Sequence, residues 1–128
     1  MGKILIIEDE QDIADLTATI LEAEGYQVSV FTHFIGYESV VNNSDADLVL
    51  LDLNIRGYHG KEICRYIKQT EYLKQIKVVL MSANPNIVTV KEQVGADAAI
   101  AKPFDLDYFV EVIGNQIRSA RLNAEFNN

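Results

Sequence analysis

The chain has 128 residues, of which 48% are hydrophobic and 23% charged, and this length and composition fit a single globular domain. Its 19 acidic and 11 basic residues give a net charge of −8, and the sequence has no run of Lys and Arg of the kind that binds nucleic acid or anionic membranes. We therefore expect no direct nucleic-acid partner and no membrane partner, and the single cysteine, Cys64, excludes an intrachain disulfide.

Five short apolar runs predict β-strands, at residues 4–7, 28–31, 48–51, 78–81 and 98–101. Three of them are nearly continuous in Ile, Val and Leu, which is typical of strands covered on both faces. The second run differs, because Val28, Ser29 and Val30 alternate apolar and polar side chains. This alternation predicts a strand at the edge of the sheet.

Between these runs, apolar residues recur at helical spacing and predict five helices. The stripes are Ile13, Leu16, Ile20 and Leu21; Phe34, Tyr37, Val40 and Val41; Ile63, Cys64 and Ile67; Ile87, Val90 and Val94; and Leu106, Phe109, Val110, Ile113 and Ile117. Asp12, with Asp15 three residues later, is expected to cap the first helix, which Gly25 ends. Gly95 is expected to end the fourth helix.

Strands that alternate with helices indicate βαβ units, a parallel sheet and right-handed crossovers that cover both of its faces. We place one domain at residues 1–118 and a polar C-terminal tail at 119–128, which is expected to fray. A doubly wound sheet of this class binds its ligands beyond the carboxyl ends of the strands, so that edge is where functional residues are sought.

Acidic and polar side chains follow the predicted strands at that edge. Glu8 and Asp9 follow the first strand, Asp52 the third, Ser82 the fourth and Lys102 the fifth. Because neighbouring strands lie about 4.8 Å apart, we expect these side chains to share one shallow pocket.

Carboxylates gathered in one pocket repel one another, and a divalent cation relieves the repulsion. Oxygen ligands favour Mg²⁺ over zinc, and His33 and His59 form no zinc-like cluster with Cys64. We interpret His59 as a loop residue and Cys64 as a small core residue of the third helix. Beside a metal ion, Asp52 is a plausible nucleophile toward phosphorus, with Lys102 and Ser82 available for the phosphoryl oxygens.

Taken together, Glu8-Asp9, Asp52, Ser82 and Lys102-Pro103-Phe104 resemble the receiver domain of two-component response regulators. Residues 50–57 are similar to the phospho-acceptor strand and loop of that family, and the resemblance covers about residues 3–118. It implies a flavodoxin-like α/β fold, a doubly wound five-stranded parallel sheet in the strand order 2-1-3-4-5.

The resemblance also implies a role for each residue at the metal site. Asp9 and Asp52 would bind Mg²⁺ directly, the backbone carbonyl of Asn54 would be a third ligand, and Glu8 would act through a bound water. The Lys102–Pro103 peptide bond would be cis, which an X–Pro bond permits at modest cost.

In such a phosphorelay, Asp52 would accept phosphate from a sensor histidine kinase or a histidine phosphotransfer protein, and Ser82 and Lys102 would contact the phosphoryl group. The phosphorylated form would act on a downstream protein target through the fourth helix, fifth strand and fifth helix. The chain would be a cytoplasmic switch that loses its phosphate slowly, not a true enzyme, and a homodimer is possible.

One departure from the family pattern, at Ala99, leaves alternatives open. Ala99 stands where the family usually has Tyr or Phe, so we expect signalling through backbone shifts of residues 82–86 and the fourth helix. Ala99 also gives weight to a phosphate-independent interaction or dimerisation module. A hydrolase of the aspartyl-phosphate type is disfavoured, because such enzymes usually carry a second acid at the position of Asn54.

Overall fold

The computed structural model describes residues 2–53 and 59–126, with side chains described as far as Asn123. The strands are β1 (Lys3–Ile7), β2 (Gln27–Phe31), β3 (Leu48–Asp52), β4 (Lys77–Ser82) and β5 (Ala98–Ala101). The helices are α1 (Gln11–Ala23), α2 (Tyr37–Ser44), α3 (His59–Gln69), α4 (Ile87–Val94) and α5 (Leu106–Phe126). The strands form one parallel sheet in the order β2-β1-β3-β4-β5, which confirms the predicted fold.

The burial of the strands follows their sequence patterns. Every residue of β3 is buried, because helices cover both faces of the sheet at its centre. By contrast, β2 lies at one edge and pairs only with β1, and its side chains are exposed or half-buried. The alternation of Val28, Ser29 and Val30 therefore marked the edge strand correctly.

Two hydrophobic clusters hold the helices against the sheet, one on each face. The first joins α2, α3 and α4 to the sheet through Tyr37, Val41, Ile63, Cys64, Ile67, Ile87, Val90 and Val94. The second joins α1 and α5 to the opposite face through Leu21, Phe109, Ile113 and Ile117. The sheet is therefore fixed from both sides, and its carboxyl edge is a rigid base for the residues that follow the strands.

The sequence predicted the C-terminal end of α4 correctly but not the N-cap residue of α1. Helix α4 ends at Gly95 as expected, with a φ of 75° that glycine adopts without strain. Asp12 does not cap α1, so that prediction was wrong: Glu10 is the N-cap residue and makes no side-chain cap hydrogen bond. Asp12 instead lies in the first turn, where its charge still favours the positive end of the helix.

Helix α5 runs to Phe126, so the segment predicted as a polar tail begins inside this helix. The domain boundary at residue 118 stays a prediction. No helix in the described ranges combines the length and apolar character that crossing a membrane requires.

An ion cluster at the amino edge of the sheet ties three elements together. The Asp97 carboxylate accepts a hydrogen bond from the Val78 amide at 2.8 Å and pairs with Lys68 Nζ at 2.6 Å. Lys77 Nζ lies 3.9 Å from the same carboxylate, and Lys68 also donates to the Ile76 carbonyl. The end of α3, the start of β4 and the turn before β5 are thereby joined at the edge opposite the candidate site.

Candidate functional site

The strand register places the predicted site residues at one edge of the sheet. Asp52 is the last residue of β3 and pairs with Met81, while Ser82 is the last residue of β4 and pairs with Ala101. Glu8 follows β1, and Lys102 follows β5, where its amide donates to the Ser82 carbonyl at 2.9 Å. The peptide bond that follows, Lys102–Pro103, is cis, as the family resemblance implied.

Three of these side chains meet in a buried notch between the strands. Lys102 Nζ donates to Asp52 Oδ2 at 2.7 Å and lies 3.9 Å from Glu8 Oε1. Glu8 is 1% exposed and Asp52 is 2% exposed. The notch thus holds two carboxyl groups and one ammonium group, and when both acids are ionised it carries one surplus negative charge.

The Glu8 carboxyl group has a pKa well above its usual value. Burial disfavours its charged form, and the neighbouring Asp52 carboxylate adds to the effect, so that the pKa of Glu8 rises from 4.5 to about 8. The backbone N–H of Glu10 and the charge of Lys102 offset only part of this shift. Within the described part of the chain, Glu8 Oε1 is buried without a hydrogen-bond partner.

The raised pKa of Glu8 predicts how the unfolding free energy changes with pH, and a stability measurement can check this prediction. A carboxyl group whose pKa is higher in the folded than in the unfolded chain stabilises the fold fully below the unfolded value of about 4.5, and the contribution disappears as pH rises through about 8. Glutamine does not titrate, so in metal-free buffer we expect Glu8→Gln to lose little stability as pH rises. Near pH 8 its unfolding free energy should exceed that of the parent protein by an amount on the order of a few kcal/mol. Urea denaturation in EDTA across this pH range measures it, and parallel pH profiles for the two proteins would contradict it.

The third predicted acid is placed differently from the other two. Asp9 is exposed in the middle of the three-residue segment between β1 and α1. Over residues 2–53 and 59–126, no three Asp, Glu, His or Cys side chains are gathered closely enough to form a metal-binding group. Asn54, the predicted carbonyl ligand, lies outside the described residues, so the full ligand set stays a prediction.

The Ser82 hydroxyl lies where the resemblance placed it, at the buried end of β4. Its Oγ accepts a hydrogen bond from the Asn84 amide at 3.0 Å, and Asn84 Oδ1 in turn accepts one from the Asn86 amide at 2.9 Å. These two bonds shape the turn that leads from Ser82 into α4. They connect the Ser82 hydroxyl to the residues just before α4.

An apolar groove beside the notch was not predicted from the sequence. It has a volume of about 500 Å³ and is lined mainly by apolar atoms of α1 and of the segments after β4 and β5. The lining residues are Ile13, Leu16, Thr17, Ile20, Ala83, Lys102, Pro103 and Phe104. Leu16 is one of the apolar residues whose helical spacing predicted α1, yet it is 61% exposed. The helical spacing alone could not distinguish a core face from a surface groove.

Ala99 leaves open space on another face of the molecule. It lies on β5 in a cleft of about 320 Å³ between α4 and α5, with Val88 and Lys91 on one side and Tyr108 on the other. Val88 and Tyr108 are both exposed. The predicted signalling route through backbone shifts near α4 stays a prediction.

His59 was interpreted from the sequence as a loop residue. The structure instead makes it the first residue of α3. Its imidazole stacks on the ring of Phe34, with centroids 3.6 Å apart and planes 10° from parallel. The two residues are distant in the sequence and belong to no shared motif, so only the folded structure brings this pair to attention.

The geometry agrees with what comparisons with known proteins find. The family model described as the response regulator receiver domain matches residues 4–114. The chain is 38% identical over 120 residues to the transcriptional regulatory protein YxdJ of Bacillus subtilis, covering 94% of this chain and 52% of YxdJ. It is 35% identical to sporulation initiation phosphotransferase F of the same organism, covering 82% of this chain and 85% of that protein.

A solved structure gives the same picture of the fold. The CheY-like receiver domain protein from Methanospirillum hungatei superimposes with a TM-score of 0.85 at 24% identity, covering 96% of this chain and 98% of that one. The chain spans about half the length of YxdJ and of the response regulator ArlR from Staphylococcus saprophyticus.

Proposed function

Because the chain belongs to the response regulator receiver domain family, and is thus a phospho-acceptor signalling domain, we propose that Asp52 is the phospho-acceptor and that Mg²⁺ binds beside it. The observation that carries this proposal is the buried notch, in which two carboxyl groups face one ammonium and one carboxylate oxygen of Glu8 has no hydrogen-bond partner among the described residues. A hard divalent cation suits this set of oxygen atoms.

We assign the ligand roles to Asp9, Asp52 and the backbone carbonyl of Asn54, with Glu8 acting through water. When bound, the ion neutralises charge on the phosphoryl oxygens and on the acids. Glu8 would then be held ionised, because the positive charge beside it favours the charged form of its carboxyl group.

The phosphoryl transfer itself needs few groups of this chain. One Asp52 oxygen forms the bond to phosphorus as the bond from phosphorus to the donor imidazole breaks, and the imidazole nitrogen keeps the electron pair. Lys102, already 2.7 Å from Asp52, turns its ammonium toward a phosphoryl oxygen, and the Ser82 hydroxyl donates a hydrogen bond to another. Water later hydrolyses the acyl phosphate slowly, so the domain is a switch and not an enzyme with turnover.

Labelling with a small phosphodonor tests this proposal. Acetyl phosphate and Mg²⁺ should phosphorylate the purified protein, and peptide mapping by mass spectrometry should place the phosphoryl group on Asp52. Chelation of Mg²⁺ with EDTA should prevent the reaction. A label on another side chain, or labelling that is indifferent to EDTA, would contradict the assignment.

We further propose that the phosphohistidine donor, a sensor histidine kinase or a histidine phosphotransfer protein, docks on the apolar groove along α1. The groove shares Lys102 with the notch, so an occupant would lie directly beside Asp52. Acidic residues flank the groove on α1 and in the segments around it, namely Asp9, Glu10, Asp12, Asp15 and Asp105. An apolar helical surface with basic side chains at its rim would complement both features.

A charged side chain in the groove should slow transfer from a protein donor without affecting labelling by a small phosphodonor. We expect Leu16→Glu to slow transfer from a histidine phosphotransfer domain about tenfold or more, since it buries a carboxylate at the centre of the contact. Labelling by acetyl phosphate should stay unchanged. The matched control is Leu122→Glu, which alters a similarly exposed leucine on α5; equal slowing by both variants would argue against the groove.

The remaining functional assignments rest on membership of the family alone. They are a cytoplasmic location, a downstream protein target contacted through α4, β5 and α5, and the possibility of a homodimer. The alternative, a phosphate-independent interaction module, draws its support from the cleft at Ala99. Failure of the acetyl phosphate labelling with a folded protein would favour that alternative.

A further inference from the structure

The stack between Phe34 and His59 joins two segments that lead to the two buried acids. Phe34 belongs to the segment between β2 and α2, and His59 begins α3, which follows β3 in the chain. The rings are nearly parallel with centroids 3.6 Å apart, and Phe34 also packs against the core cluster beneath α2, α3 and α4. The stack is therefore a fixed contact between these two segments, backed by the core.

On the Phe34 side, the connection leads to Glu8. The backbone N–H of Glu8 donates to the carbonyl of Phe31 at 3.1 Å, and Phe31 is the last residue of β2, three residues before Phe34. The carbonyl of Phe34 itself accepts a hydrogen bond from the Tyr37 amide at 3.1 Å, which ties the segment to the start of α2. A shift of the Phe34 segment is thus transmitted to the backbone that positions the Glu8 carboxyl group.

On the His59 side, the connection leads to Asp52. Gly60, the next residue of α3, is packed directly on the end of β3: a methyl group added there would lie 3.0 Å from Leu53 Cα and 3.3 Å from the Asp52 carbonyl oxygen. No side chain fits at this position without movement of that backbone. The first turn of α3 therefore packs against the backbone of Asp52 and Leu53, and the stack fixes the position of that turn.

We propose that the Phe34–His59 stack is a positioning element that sets the separation of the Glu8 and Asp52 carboxyl groups and thereby the affinity of the notch for Mg²⁺. This inference rests on the proposed function. Neither ring touches the reacting atoms. The stack acts through backbone contacts, one leading from Phe31 to Glu8 and the other from Gly60 to Asp52.

Calorimetric titration of Mg²⁺ into the purified protein tests the proposal. Phe34→Leu keeps an apolar side chain against the core but removes the ring face, and we expect it to raise the Kd for Mg²⁺ about three- to tenfold, as the usual strength of an aromatic pair suggests. Phe34→Tyr keeps the ring face and should bind Mg²⁺ like the parent. The matched control is Ile35→Ala, since Ile35 is the neighbouring residue and is 80% exposed.

A double-mutant cycle with His59→Ala separates the stack from independent effects on folding. If the two rings act as one unit, the variant with both Phe34→Leu and His59→Ala should bind Mg²⁺ no more weakly than the weaker single variant. Urea denaturation in EDTA identifies conditions in which every variant is folded, so that the titrations compare native proteins.

Three outcomes would each overturn the proposal: a Kd for Phe34→Leu equal to that of Ile35→Ala, a Phe34→Tyr variant as weak as Phe34→Leu, or additive effects at the two positions. A parent protein that binds Mg²⁺ and is labelled on Asp52 while the Phe34 variants bind equally well would refute the positioning role alone. A parent that binds no Mg²⁺ would refute the proposed function and this inference with it.

Discussion

Asp52→Asn should abolish labelling by acetyl phosphate in the presence of Mg²⁺. An amide nitrogen or oxygen is a poor nucleophile toward phosphorus, and the substitution also removes one of the two buried carboxyl groups that favour a cation in the notch. We expect no acyl phosphate above background, whether the reaction is followed by mass spectrometry or by a radiolabelled donor.

The variant should remain folded, which makes the loss interpretable. Asp52→Asn removes the repulsion between the two acids and leaves Lys102 able to pair with Glu8, whose Oε1 already lies 3.9 Å from Lys102 Nζ. Its unfolding free energy in metal-free buffer should therefore not fall below that of the parent. Asp107→Asn, at an exposed position in the first turn of α5, is the matched control and should be labelled normally. Labelling of Asp52→Asn at the parent rate would exclude Asp52 as the acceptor.

Phe109→Ala should destabilise the fold by about 3–5 kcal/mol, as is usual when a buried aromatic side chain leaves a cavity. Phe109 is fully buried and is among the largest buried side chains of the described chain. It packs α5 against the sheet, and its ring stacks on Phe104 with centroids 4.8 Å apart. Urea denaturation at equilibrium measures the change.

The neighbouring residue provides the comparison. Tyr108 is half-exposed, and Tyr108→Ala should cost about 1 kcal/mol or less. Because the Phe104 ring stacks on Phe109 and Phe104 lies two residues after Lys102 of the notch, Phe109→Ala should also weaken Mg²⁺ binding under conditions in which the variant is folded. A loss of stability for Phe109→Ala no larger than that for Tyr108→Ala would contradict the prediction, because it would mean that neighbouring side chains fill the cavity.

The strands and the notch were predictable from the sequence because each depends on local patterns. Residues 48–51 are apolar without interruption, which is typical of a short strand covered on both faces. Once the sheet is parallel, its carboxyl ends are adjacent by geometry, so Glu8, Asp52, Ser82 and Lys102 were expected at one edge. The distances from Lys102 to the two acids agree with that expectation.

Other features depend on contacts between distant parts of the chain, which no local pattern encodes. The stack of Phe34 on His59 needs the segment after β2 to meet the start of α3, and Leu16 is exposed only because α1 leaves a groove beside Pro103 and Phe104. Asp12 was misplaced for a simpler reason: several acids adjoin the start of α1, and composition does not tell which one has non-helical backbone.

The Asp97 cluster limits where the chain could be opened to make a circular permutant. Its carboxylate draws on α3, β4 and the turn before β5, so new termini at either of the two connections that meet there would divide the cluster. New termini beside Phe34 would instead release the ring that stacks on His59. The turn at Glu24 and Gly25, between α1 and β2, belongs to neither group, so a permutant that begins there keeps the Asp97 cluster and the stack undivided.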